Sequence, residues 1–201
     1  MSGTSARVVE WAVASRPVSG ELVSGDAAVV SSVGDRTLVA AVDALGHGPE
    51  AARVAATAAS ILQEFAGDDV VALVRRCHDG LRGTRGAAIS AASISASAAT
   101  LTWVGVGNVE GRLVRGHGSP EDVLLGSGVA GAALPPLAPA TLPVARGDVV
   151  AFATDGIDGS FADSLDVSGP AQRIADTILA QHGKSVDDAL VVVARFLGAP
   201  R

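Results

Sequence analysis

Apolar residues in this chain fall into short runs of β type, interrupted by two blocks with helical spacing. "DAAVVSSV" (26–33) and "RTLVAAVD" (36–43) are separated only by Gly34-Asp35, which reads as a hairpin. "AAISAASISAS" (87–97) and "TLTWVGVG" (100–107) form a second such pair, and "GRLVRG" and "DVLLG" follow. "DVVAFATD" (148–155) and "DALVVVARF" (188–196) are almost continuously apolar, so both are expected to be buried on two faces.

The first helical block opens at Pro49, suited to a first-turn position, and places Val54, Ala58, Ile61, Leu62 and Phe65 on one face before Gly67. Asp68 is positioned to cap a second helix carrying Val70, Val71, Val74, Cys77 and Leu81. A third starts near Pro170, aligns Ile174, Ile178 and Leu179, and stops at Gly183. Hairpin-linked strands with helices in separate blocks predict an α+β fold: two stacked antiparallel sheets flanked by helices. Length favours one domain over 1–201. The proline-rich stretch 134–143 reads as a surface loop within it.

Composition narrows the function. The chain is 48% hydrophobic and 3% aromatic without tyrosine, so its core is aliphatic. A net charge of −6 and the lack of any Lys/Arg run disfavour nucleic acid. No apolar run nears the ~20 residues of a membrane span, and the N-terminus lacks the layout of a signal peptide. The lone Cys77 fits a reducing compartment, so a cytoplasmic protein is expected. No extended apolar stripe asks for a dimer, and a monomer is expected.

Candidate chemistry lies in acidic residues at strand ends. Asp26 begins a strand after Ser24-Gly25. Asp43 ends one and leads into Ala44-Leu45-Gly46-His47-Gly48. Asp155 ends another before Gly156, and Asp187-Asp188 precede the last. Singly, each is an ordinary turn residue or cap. If their strands are neighbours, the carboxylates converge, and oxygen-only donors select hard cations such as Mg(II) or Mn(II).

The ordered motifs "SGD", "VDALGHG", "ATDGI" and "DDALVVVARF" resemble the PPM-type metal-dependent serine/threonine phosphatases, in their SpoIIE-like branch. The stretch 100–115 and the short length look most like the RsbX-type phosphatases of the stressosome. The resemblance implies a β-sandwich flanked by helices with a centre of two Mn(II) or Mg(II) ions at one end. It further implies a substrate phosphorylated on serine or threonine, of the STAS-domain stress-signalling class, hydrolysed by a metal-activated water. Carried over by position, Asp26, Asp43, Asp155 and Asp187 are the metal ligands, with Asp43 bridging and the Ala44 carbonyl joining them. The family has glycine where Ala44 stands. Its eukaryotic members place a candidate acid histidine where Leu45 stands, which leaves His47 between a structural and a catalytic role. The choice of Asp187 over Asp188 rests on motif register, and Arg16 is either a phosphate contact or a solvated arginine. Two other functions stay open: a catalytically silent module that binds phosphorylated partners, and a small-molecule phosphoesterase.

Other signals carry ordinary readings. The glycine spacing of "GVGNVEG" (105–111) is wrong for a dinucleotide fingerprint and predicts a turn with Asn108 left-handed. Trp11, Trp103 and Cys77 read as core. His78, His117 and His182 are scattered, and 116–122 is an exposed loop.

Overall fold

The computed structural model describes residues 8–115, 121–122, 125–163 and 165–199. The elements are β1 (Val9–Arg16), β2 (Asp26–Val33), β3 (Arg36–Ala44), α1 (Gly48–Glu64), α2 (Val70–Gly80), β4 (Ala87–Ser95), β5 (Thr100–Val106), β6 (Glu110–Val114), β7 (Glu121–Asp122), β8 (Ala140–Pro143), β9 (Val149–Ala153), α3 (Ala171–His182) and β10 (Ala189–Phe196). A short 3-10 turn (Gly159–Ala162) precedes α3. The strands form two five-stranded sheets, ordered β1-β10-β9-β6-β7 and β2-β3-β4-β5-β8. Every strand pairing within them is antiparallel.

Alternation along the inner strands builds three apolar layers. In β3, Val39 and Ala41 face the other sheet, while Leu38, Ala40 and Val42 face α1 and α2. In β10, Leu190, Val192, Ala194 and Phe196 fill the space between sheets, and Ala189, Val191 and Val193 pack towards α3. A strand with apolar neighbours on both sides has no use for polar alternation, so these runs are continuously hydrophobic as expected. The helices meet the sheets through faces of small and branched residues: Ala51, Val54, Ala55, Ala58 and Leu62 on α1, and Ala171, Ile174, Ala175 and Ile178 on α3. Burying one such Val, Leu or Ile side chain is worth roughly 1.5–3 kcal/mol.

Several local expectations need correction. Asp69, not Asp68, caps α2, accepting from the amides of Val71 and Ala72; Asp68 instead pairs with Arg76 at 2.9 Å. The stretch 134–143 is not wholly loop, since its last four residues are edge strand β8, paired with β5. Proline 143 is tolerated there because an edge strand needs fewer ladder donors. Asn108 is not left-handed: the turn takes its positive φ at Gly107. Trp103 is fully buried, packed edge-on against Phe152 with ring centroids 5.0 Å apart. Trp11 is 53% exposed and is not core, because β1 lies at a sheet edge. His117 and most of the loop 116–122 lie outside the described residues, and its last two, Glu121 and Asp122, are not loop but strand β7, paired with β6. Among those described, no helix is long and apolar enough to cross a membrane.

Candidate metal centre

The β2–β3 hairpin sets the first two acids. Its ladder runs without a slip from Val33 opposite Arg36 to Asp26 opposite Asp43. Directly opposed residues point to the same face, so two carboxylates stand side by side at the open end of this sheet. Like charges in that position destabilise a sheet unless something offsets them.

The second sheet brings the others. Asp155 lies two residues past the end of β9, and Asp187 two residues before β10; these strands are paired, with Ala153 opposite Val191. The turn after Asp155 presses against the chain entering β10. A side-chain carbon at Gly156 would stand 1.8 Å from the Asp188 carbonyl oxygen, so only glycine fits there. Thr154 joins the sheets. Its hydroxyl donates to Asp26 Oδ2 at 2.8 Å and accepts from the Leu190 amide at 2.9 Å.

Asp26, Asp43, Asp155 and Asp187 are thus gathered at one end of the sandwich, near enough to act on one another electrostatically. Burial pushes the Asp26 carboxyl up to about 7, helped by the negative charges of Asp188, Asp155 and Asp187 and opposed by the Thr154 hydrogen bond. Asp43 rises to about 8, again chiefly from burial, then from Asp26, Asp155, Asp187 and Asp188. Asp155 is raised by burial and by Asp187, against the lowering influence of Lys184 and of hydrogen bonds from Asn108 and Asp43. Among the described residues, no ion pair reaches any of the four.

This donor set fits hard divalent cations. It is all oxygen, it carries excess negative charge, and its members resist ionisation in one another's presence. Among the described residues, no three His, Cys, Asp or Glu side chains stand close enough together to hold an ion between them. An open arrangement of carboxylates suits Mg(II), which retains several waters and takes one or two carboxylates from its protein.

Ala44 has a negative φ, since Ala99 is the one described non-glycine residue in the left-handed region. Alanine therefore stands here without strain. The bending falls to Gly46 and Gly48, at φ +89° and +77°. Asp188 lies apart from the other acids in role. It is 3% exposed, and its two oxygens accept from the amides of Val18 (2.7 Å) and Gly25 (2.6 Å). It clamps the β1–β2 loop, while Asp187, half-buried, accepts from the Asp188 amide at 2.8 Å and acts electrostatically on Asp26 and Asp43. His47 is exposed and lies 3.2 Å from Glu21 Oε1 at the start of α1. Arg16 donates to the Lys184 carbonyl at 2.8 Å, and Lys184 Nζ donates to the Asp155 carbonyl at 2.7 Å.

Sequence reasoning missed Asn108, whose amide donates to Asp155 Oδ2 at 2.7 Å, together with Lys184 and Glu21. No local pattern marks them, because each depends on a partner more than 20 residues away. Thr154 was legible in principle, being the residue before Asp155 in "ATDG".

A family model described as Stage II sporulation protein E (SpoIIE) matches residues 33–197. The phosphoserine phosphatase RsbX of Bacillus subtilis (strain 168) is 28% identical over 90 residues, 45% of this chain and 45% of that protein, so the alignment spans about half of the curated relative. Among solved structures, a chain from work on the bacterial stressosome as a modular system adapted to control secondary messenger signaling is 30% identical. It superposes with a TM-score of 0.87 over 94% of this chain and 100% of its own. RsbX in complex with magnesium gives 0.85 at 22% identity over 94% and 95%. The PP2C phosphatase domain of SpoIIE from Bacillus subtilis gives 0.78 at 19%, over 96% and 64%. The two-sheet architecture with flanking helices is that of PP2C phosphatase domains.

Proposed function

Because the chain belongs to the SpoIIE family of PP2C-type phosphatase domains, we propose that it is a metal-dependent phosphoprotein phosphatase, similar to RsbX, acting on phosphoserine or phosphothreonine. Its substrates on this reading are phosphorylated STAS-domain regulators of a stressosome-type pathway in the cytoplasm. The observation that carries the reading is the gathering of Asp26, Asp43, Asp155 and Asp187, far apart in sequence, at one end of the sandwich. Similarity to RsbX and to the stressosome-associated chain supports the substrate class.

Two divalent ions, Mg(II) or Mn(II), would be held by Asp26, Asp43, Asp155 and Asp187 together with the Ala44 carbonyl. Bound there, such ions supply an attacking water at neutral pH and neutralise charge on the phosphoryl oxygens.

The chain's own contribution is positioning. Thr154 aims the Asp26 carboxylate, and Asn108 orients Asp155. Lys184 fixes the backbone on which Asp155 sits, and Asp188 secures the loop that leads into Asp26. Arg16 and His47 stand at the rim with their polar groups already engaged by Lys184 and Glu21, so neither is assigned to the chemistry. Incubating the protein with a phosphorylated STAS-domain protein, in Mn(II) and in excess chelator, tests the function. Phosphate release that needs the ion and favours the phosphoprotein over para-nitrophenyl phosphate is expected. Release unaffected by chelator would refute the metal-dependent reading.

A further inference from the structure

Large exposed hydrophobic side chains are unevenly distributed over the described surface. Four of the six, Leu22, Val23, Leu45 and Val186, lie in the three loops that carry the acidic cluster. Leu22 is 97% exposed and Val186 is 80% exposed. These loops are tied to one another. Asp188 accepts from the amides of Val18 and Gly25, holding the β1–β2 loop against the segment that enters β10. The Ala44 amide donates to the Gly25 carbonyl at 3.0 Å, and His47 meets Glu21, which hold the β3–α1 loop against the same β1–β2 loop. The four residues therefore stand on backbone tied together beside the acidic cluster, between one and four positions in sequence from one of its acids.

Apolar side chains held in water beside a polar centre gain nothing for the fold. They gain by being covered when something docks beside the acids. We propose that these residues form an apolar collar that binds hydrophobic side chains flanking the phosphorylated residue of a partner protein. The proposal rests on the phosphatase reading of the site and deepens it. The occupant is a protein segment with a phosphoserine between aliphatic neighbours. The collar gives such a segment an advantage over a bare phosphate ester, because the ester reaches the acids without covering the collar. The opposite end of the sheet provides an internal control: Val33, 48% exposed, closes the β2–β3 hairpin seven residues along β2 from Asp26, about 23 Å away.

The test uses two ten-residue phosphoserine peptides, one with Leu and Val flanking the phosphoserine and one with Ser and Gly, beside para-nitrophenyl phosphate, all in Mn(II). Leu22→Ser, Val186→Ser and the double variant are compared with Val33→Ser and the unaltered protein, and thermal melts confirm folding. The collar predicts that the unaltered protein prefers the aliphatic peptide. It predicts that the double variant loses about tenfold in kcat/KM on that peptide, mostly through KM. Its turnover of para-nitrophenyl phosphate should stay within about twofold, and Val33→Ser should match the unaltered protein on every substrate. Equal rates on the two peptides, or a double variant unchanged on the aliphatic one, would overturn the collar while leaving the phosphatase reading intact. No hydrolysis of any of the three substrates by the unaltered protein would overturn both.

Discussion

Strand β9 has a carboxylate at each end, buried before its start and exposed past its end, and the two are treated in opposite ways. At its start, Asp148 is 4% exposed and has its own cation: Arg115 Nη1 lies 2.9 Å away, and the Ala145 amide donates to the same oxygen at 2.9 Å. At its far end, Asp155 joins Asp26, Asp43 and Asp187, and among the described residues no ion pair reaches any of them. The same fold thus supplies a guanidinium to one acid and withholds it from four others. Burying an unpaired carboxylate is costly, and a protein avoids it unless the charge is completed from outside. The end of the molecule that looks electrostatically unfinished is the end to which function belongs.

The largest effect that separates the two ends is on activity. Asp43→Asn or Asp155→Asn should lower phosphoester hydrolysis in Mn(II) by about a thousandfold or more. Asp148→Asn should leave the rate within a few-fold and instead cost about 3–5 kcal/mol of stability, read as a lower Tm. Comparable activity in Asp43→Asn and Asp148→Asn would erase the distinction.

A second effect is on pH dependence without metal. The folded-state values of about 7 for Asp26 and about 8 for Asp43 lie above the ordinary 3.8. The folded chain therefore holds more protons than the unfolded one across that window. Its stability should fall as pH rises from about 4 to about 8, the reverse of an acid held by an arginine. In chelator, Tm should decline over this range, less steeply in Asp43→Asn, and Mn(II) should flatten the decline. A metal-free Tm that rises from pH 5 to pH 8 would contradict the electrostatics described above.

Smaller effects sharpen the picture. Thr154→Val keeps shape but removes the donor to Asp26 and the acceptor for the Leu190 amide, at a cost of about 1–2 kcal/mol and about tenfold in rate. Cys77, on the buried face of α2 with its thiol pushed up to about 12 by burial, belongs to neither end. It should resist iodoacetamide in the folded protein and react once denaturant is added.

Much of this was readable from sequence because it depends on short-range chemistry. The Gly34-Asp35 turn dictated a tight hairpin, and the hairpin's register alone places Asp26 opposite Asp43. The apolar runs of β9 and β10 announced strands covered on both faces, hence a sandwich with helices outside. Reading failed where a choice depends on a distant partner. Nothing near Asp68 and Asp69 tells which one caps α2, since either can reach an amide, and Arg76 takes the first. Trp11 has the composition of a core residue, and only the position of β1 at a sheet edge exposes it. Asn108, 47 residues from its partner Asp155, and Asp188, whose oxygens hold amides more than 160 residues away, became visible only with the fold.

The account's central claim is that four separated aspartates jointly bind divalent cations. Calorimetric titration of the metal-free protein with Mn(II), beside the Asp26→Asn, Asp43→Asn, Asp155→Asn and Asp187→Asn variants, tests it most directly. The account predicts saturable binding by the unaltered protein, abolished or strongly weakened in Asp43→Asn and reduced in each of the other three. Undiminished Mn(II) binding in all four variants, or none in the unaltered protein, would contradict it.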